Sequence, residues 1–166
     1  MAGTVSSPDM EQGAAAFRAD FDRAVELMLE WPDGGEPSAE WLAIPAVVRH
    51  AVTTHYAFED ICNGGLEQYF FNHTGNLAHE TLAGYRALGL THMAELLERA
   101  IALFPGGYLR SCRARRRVLG DPPVLSETLA KQWDEIDSEM FKALPSADQN
   151  DWSIAVNSAA MKYVQT

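Results

Sequence analysis

Apolar residues recur at steps of three and four along most of the chain. From Met10 to Trp31, the residues Ala14, Phe17, Phe21, Ala24, Val25 and Met28 form one stripe, the mark of an amphipathic helix. "WPDGGEPS" then brings prolines and glycines together, which ends that helix. A short element, "SAEWLAI", follows. Pro45 suits the first turn of the next helix, because its missing N–H would be unpaired there anyway. That helix is predicted to run to about Cys62 and to bury some of Val48, Val52, His55, Tyr56 and Ile61.

Leu77 to Leu88 reads as another helix, with Gly89 where a left-handed C-terminal cap would fall. Thr91 suits the N-cap of a helix carrying Met93, Leu96, Leu97, Ala100, Ile101 and Phe104. "FPGG" ends it, and an arginine run and the turn "GDPP" follow. A helix from about Ser126 to Leu144 buries Leu129, Trp133, Ile136 and Met140, and a last one spans about Asp148 to Tyr163. No alternating run of useful length interrupts this series. The prediction is an all-α, single-domain multi-helix bundle without significant β-sheet. Residues 1–9 are expected to be disordered and 10–166 to form the domain. A chain of 166 residues that is 47% hydrophobic can close one core of ordinary size.

Between the second and third long helices lies "NGGLEQYFFNHTGN", from Asn63 to Asn76. Gly64 and Gly65 sit where the chain needs positive φ to reverse. Leu66, Tyr69 and Phe70 fall on one face of a short helix, while Asn63, Gln68, Asn72 and Asn76 can bond backbone left unpaired at such a corner. Every residue type there has a structural task. A corner of this kind can also hold a peptide or a small ligand, so that reading stays open.

The stretch "DICNGGLEQYFFNHTGN" resembles the signature of the DNA-mimic protein family, a bacterial family of helical domains. That signature runs acid, Val, Asn-Asn-Gly-Gly, an aromatic, Gln-Tyr-Phe and Asn. Here Asn63, Gly64, Gly65, Gln68, Tyr69, Phe70 and Asn72 match it, whereas Cys62 stands for the first Asn and Leu66 for the aromatic. "HETLAGYRALGLTHMAELLERAIALFP" and "WDEIDSEMF" continue the resemblance, which covers about residues 45–141. The resemblance implies a helical fold. It also implies a relative that binds a DNA-binding protein by presenting DNA-like negative charge, often as a dimer.

Charge changes the picture next. The net charge is −10, from 23 acids against 13 bases. Residues 1–40 hold nine acids and two arginines, and residues 106–118 hold five arginines and no acid. An acidic surface repels nucleic acid and anionic membrane and attracts basic partners, although it also serves solubility. On the first helix Asp22, Glu26 and Glu30 are four apart on one face, so they climb roughly 6 Å per step. Like charges at this spacing weaken a helix, so the row does not exist for helix stability. Asp33 and Glu36 extend it into the loop. Glu127 and Asp134 share an outer face of the late helix, and Asp137 borders its apolar stripe. These acids are the candidate DNA-mimicking contacts. The arginine run, "RSCRARRR", pairs with acids of the same chain or of a dimer partner, or forms a patch for nucleic acid, a reading the charge of the rest opposes.

Catalytic chemistry has less support. His73 and His79 are six apart, not the four of a helical zinc pair, and Glu80 adds one carboxylate. A small metal-binding or hydrolytic enzyme built on these three is the alternative from another class. Cys62 has no histidine at motif spacing, and no phosphate-binding loop or nucleophile elbow occurs. No catalytic residue, metal or cofactor is therefore expected. The N-terminus has no apolar h-region and no stretch is apolar enough for a membrane span. Cys62 and Cys112 are read as reduced thiols of a cytoplasmic protein. The expected partner is a basic DNA-binding protein, without direct binding to nucleic acid or membrane.

Overall fold

A computed structural model describes residues 7–143. Among the described residues seven α-helices follow one another: α1 (Ser7–Leu29), α2 (Ala39–Ala43), α3 (Ala46–Phe71), α4 (Ala78–Ala87), α5 (Thr91–Ala102), α6 (Cys112–Leu119) and α7 (Glu127–Ala143). A 3-10 turn, His73–Leu77, joins α3 to α4. Among the described residues there is no strand, and the fold is an all-α single domain. None of the described helices is long and apolar enough to cross a membrane. The helix expected over 148–163 lies outside the described residues. So does most of the segment expected to be disordered; from Ser7 the backbone is helical.

The long helix α3 organises the rest. Its first half and α1 close a cluster of Ala24, Leu27, Met28, Trp41, Ile44, Val48, Val52 and Leu77. Phe17, Phe21, Val25 and Tyr56 pack on its edge, while Ala14 stays exposed at the outer end of the stripe. The second half of α3, with α4, α5 and α7, closes a larger cluster. There Phe70 meets Phe104, Tyr108 and Trp133 with ring centroids 5.2–5.6 Å apart. All four residues expected to face inward from α7 are buried. Burying a side chain of this size contributes roughly 1.5–3 kcal/mol, so these two clusters supply the main drive to fold.

One helix start differs from the sequence expectation. Leu90, not Thr91, occupies the N-cap of α5, and no side chain caps that helix. Ser126 does cap α7, with Oγ accepting the Leu129 N–H at 3.2 Å. The arginine run, for which no element was predicted, is helix α6. Ser111 caps it by accepting the Ala114 N–H at 3.0 Å. Cys112, Arg115 and Leu119 then turn inward at steps of three and four. Arginine at the inward position conceals the helical period.

Candidate functional site

At the corner one helix ends and another begins, and the two run together as α3 across a kink. Gly64 (φ −156°) and Gly65 (φ +70°) both leave helical geometry. Only Gly65 is left-handed, so the expectation that Gly64 holds positive φ is corrected. Gly64 is needed for space, since a Cβ there would approach the Gln68 Cβ to 2.9 Å. The kink frees the N–H of Leu66, and Asp137 of α7 takes it with both oxygens, at 2.9 and 3.1 Å. Burial pushes the Asp137 carboxyl up to about 6, against the pull of that bond.

Past the kink, the signature polar residues converge on Asp60. Its Oδ1 accepts from Gln68 Nε2 at 3.2 Å and Asn72 Nδ2 at 2.8 Å, and its Oδ2 accepts from Thr74. Tyr69 and Phe70 are fully buried, with the Tyr69 hydroxyl donating to Thr81 Oγ1 at 3.1 Å. Asn63 is exposed. Of the signature residues, then, Tyr69 and Phe70 belong to the interior, while Gln68 and Asn72, half-buried, bond the Asp60 carboxylate and not the unpaired backbone that was expected.

The arginine run closes the other side of this corner. Arg115 is 0% exposed, and among the described residues it forms no ion pair with a carboxylate. Its Nε donates to Phe70 O at 2.7 Å, its Nη2 to Asn72 O at 2.7 Å, and its Nη1 to Leu109 O and Arg110 O at 3.0 and 2.5 Å. Arg116 Nε donates to Phe71 O at 3.0 Å and its guanidinium lies 4.2 Å from the Phe71 ring centre. The carbonyls at the end of a helix carry its negative pole and lack partners within it, so two cations here satisfy α3 on both counts. A Cβ on Gly75 would stand 2.9 Å from Arg115 Nη2, which explains a glycine in the 3-10 turn. Arg110 pairs with Glu80 at 2.8 Å, and Arg116 lies 3.9 Å from Asp121. The run thus bonds mainly to backbone rather than to the acidic segments.

The candidate mimicking acids separate into groups. Asp22, Glu26 and Glu30 are all exposed, on the side of α1 away from Ala24, Leu27 and Met28. Glu26 carries an exposed pair with Arg23 at 3.0 Å. Glu36 is exposed in the following loop. Asp33 does not extend the row. Its carboxylate accepts from Ser111 Oγ at 2.7 Å, Cys112 N at 2.6 Å and Arg113 N at 3.4 Å, so it holds the N-terminus of α6. Slight burial works to raise its pKa, but those bonds outweigh it and hold the carboxyl below its usual value. Glu127 and Asp134 are exposed on α7, whose core contacts belong to the other cluster. The α1 row and the α7 acids therefore sit on different halves of the bundle core.

His79 stacks edge-on against Tyr108, and Glu80 is taken up by Arg110. Among the described residues no group of three or more His, Cys, Asp or Glu is placed to hold a metal. Cys62 is exposed, Cys112 is buried, and both are free. Periodicity gave no sign of a cleft of about 590 Å³ beside α6, lined by Asp33, His73, Arg113, Arg116, Arg117 and Asp121 among others. The basic run was its one sequence signal.

The family described as DMP19-like protein matches residues 42–165. No curated protein and no solved structure matches the chain.

Proposed function

Because the chain belongs to the DMP19-like protein family, we propose that it is a non-catalytic binding protein whose acidic α1 face occupies the DNA-binding surface of a basic protein. One observation carries this reading: Asp22 and Glu26 on α1, and Glu30 just past its end, stand exposed at four-residue steps, on a helix anchored by its opposite face. A rigid file of carboxylates is what a groove lined with Lys and Arg attracts in place of phosphates. Arg23 offsets part of the charge through Glu26, and that pair is exposed and weak. The file precedes residues 42–165, so the proposal rests on this chain's own acids together with the DNA-mimic role that the family resemblance implies.

The test joins capture with competition. The full chain, immobilised, is used to isolate a basic DNA-binding partner, and that partner is then loaded with duplex DNA. Added protein should release the DNA without forming a three-way complex. Affinity should fall as salt rises, more shallowly than for the duplex, because carboxylates on a protein do not condense counterions as DNA does. The triple variant Asp22→Lys, Glu26→Lys, Glu30→Lys should lose capture and keep its thermal midpoint. Simultaneous binding of DNA and this protein, or full capture by the triple variant, sinks the proposal.

A further inference from the structure

The cleft beside α6 points to a second site, independent of the α1 face. We propose that it binds a small molecule through a phosphomonoester group, held by Arg113 and Arg117. Both side chains are exposed, and neither has a hydrogen bond or ion pair with any described residue. They stand four apart on α6, one turn from each other, with Arg116 between them. Arg117, in the last turn of α6, suits the helix dipole, whereas Arg113, in the first turn, opposes it, and like charges four apart weaken a helix, so helix stability does not account for the pair. Three guanidinium groups, of Arg113, Arg116 and Arg117, line the cleft against two carboxylates, so its lining stays net positive and the acids are already engaged. Asp33 is spent on Ser111 and on the backbone of α6, and Asp121 lies 3.9 Å from Arg116.

Shape and charge set the class of ligand. About 590 Å³ suits a small molecule. A phosphomonoester carries roughly −1.5 to −2 at pH 7, which matches two guanidinium groups, and their forked donors fit its oxygens in pairs. His73, from the 3-10 turn, also lines the cleft. A long polyanion would have to extend over a protein whose net charge is −10. A compact dianion stays within about one Debye length, roughly 8 Å, of the arginines and meets little of that repulsion.

The full chain is to be heated with inorganic phosphate and, separately, with glycerol 2-phosphate, against chloride at matched ionic strength. A saturable rise of about 3 °C or more is expected with both phosphates and not with chloride. The double variant Arg113→Gln, Arg117→Gln should unfold at the wild-type temperature without phosphate and lose the rise. Should that variant fail to fold, a phosphate titration of the wild type followed by amide resonances decides, with saturable shifts expected at Arg113, Arg117 and His73. An equal rise in chloride, an undiminished rise in the double variant, or shifts spread over the whole protein overturns the proposal. So does duplex DNA that displaces phosphate at equal phosphate concentration, which would make the arginines a nucleic-acid contact.

Discussion

Asp137 closes the kink of a helix 71 residues away in sequence, receiving the Leu66 N–H with both carboxylate oxygens. Its carboxyl is half-buried and pushed up to about 6 from an ordinary 3.8. A raised carboxyl pKa favours the protonated form in the folded state. The contribution of this group is therefore full below about pH 3.8 and is lost as pH rises through about 6. Asp137→Asn keeps an oxygen acceptor for Leu66 and removes the charge. Urea unfolding from pH 4 to 7 should show a smaller fall of stability with pH in this variant than in the wild type. Equal slopes would show that Asp137 does not titrate in this window.

Asp137→Ala leaves the Leu66 N–H without its partner. A buried donor in that state costs about 1–3 kcal/mol. Gly65 carries φ +70°, and a Cβ there would come within 3.1 Å of the Asp137 Cγ. Gly65→Ala should cost more than about 1 kcal/mol from backbone strain alone. Combined with Asp137→Ala the loss should fall short of the sum, because the clash disappears with the carboxylate. Denaturation midpoints of the two single variants and the double one test this.

Arg115→Met is expected to be among the most damaging single changes. It removes the donors to Phe70, Asn72, Leu109 and Arg110 at once. With about 1–3 kcal/mol for each acceptor left dry, a loss of roughly 4 kcal/mol or failure to fold is expected. Arg115→Lys should recover only part of this, since one ammonium cannot reproduce a planar fork that reaches four carbonyls. Chemical unfolding, or the yield of soluble protein, is the readout. Wild-type stability in Arg115→Met would show that water can replace the guanidinium.

The aromatic pair at the corner should behave as core. Tyr69→Ala and Phe70→Ala should each cost about 3 kcal/mol or more, as large buried rings do. Tyr69→Phe removes only the bond to Thr81 and should cost about 1 kcal/mol. Variants that keep wild-type stability while losing a bound partner would make this corner a recognition site instead.

Helices were legible from the sequence because helical packing writes a local period. The inward faces of α1, α5 and α7, the break at "WPDGGEPS" and the cap at Gly89, with φ +79°, all follow from residues within a few positions of one another. The corner was also legible, since two glycines followed by Leu66, Tyr69 and Phe70 require a change of direction and then a buried face. Which glycine turns left-handed was not. That depends on where Asp137 and Gln68 stand around the kink, and Asp137 arrives from α7. Arg115 is the clearest limit. Its neighbours Arg113, Arg116 and Arg117 make it look like part of a solvated basic run, yet it is buried because the Phe70 carbonyl at the end of α3 and the Asn72 carbonyl just past it accept from its fork. Asp33 was read with the acidic row for the same reason, and it faces α6 from 79 residues away. Periodicity reports which face of an element turns inward. Which distant donor or acceptor meets a particular charge is decided only when the helices pack, because the cost of a dry, unpaired backbone group exists only once water has been excluded.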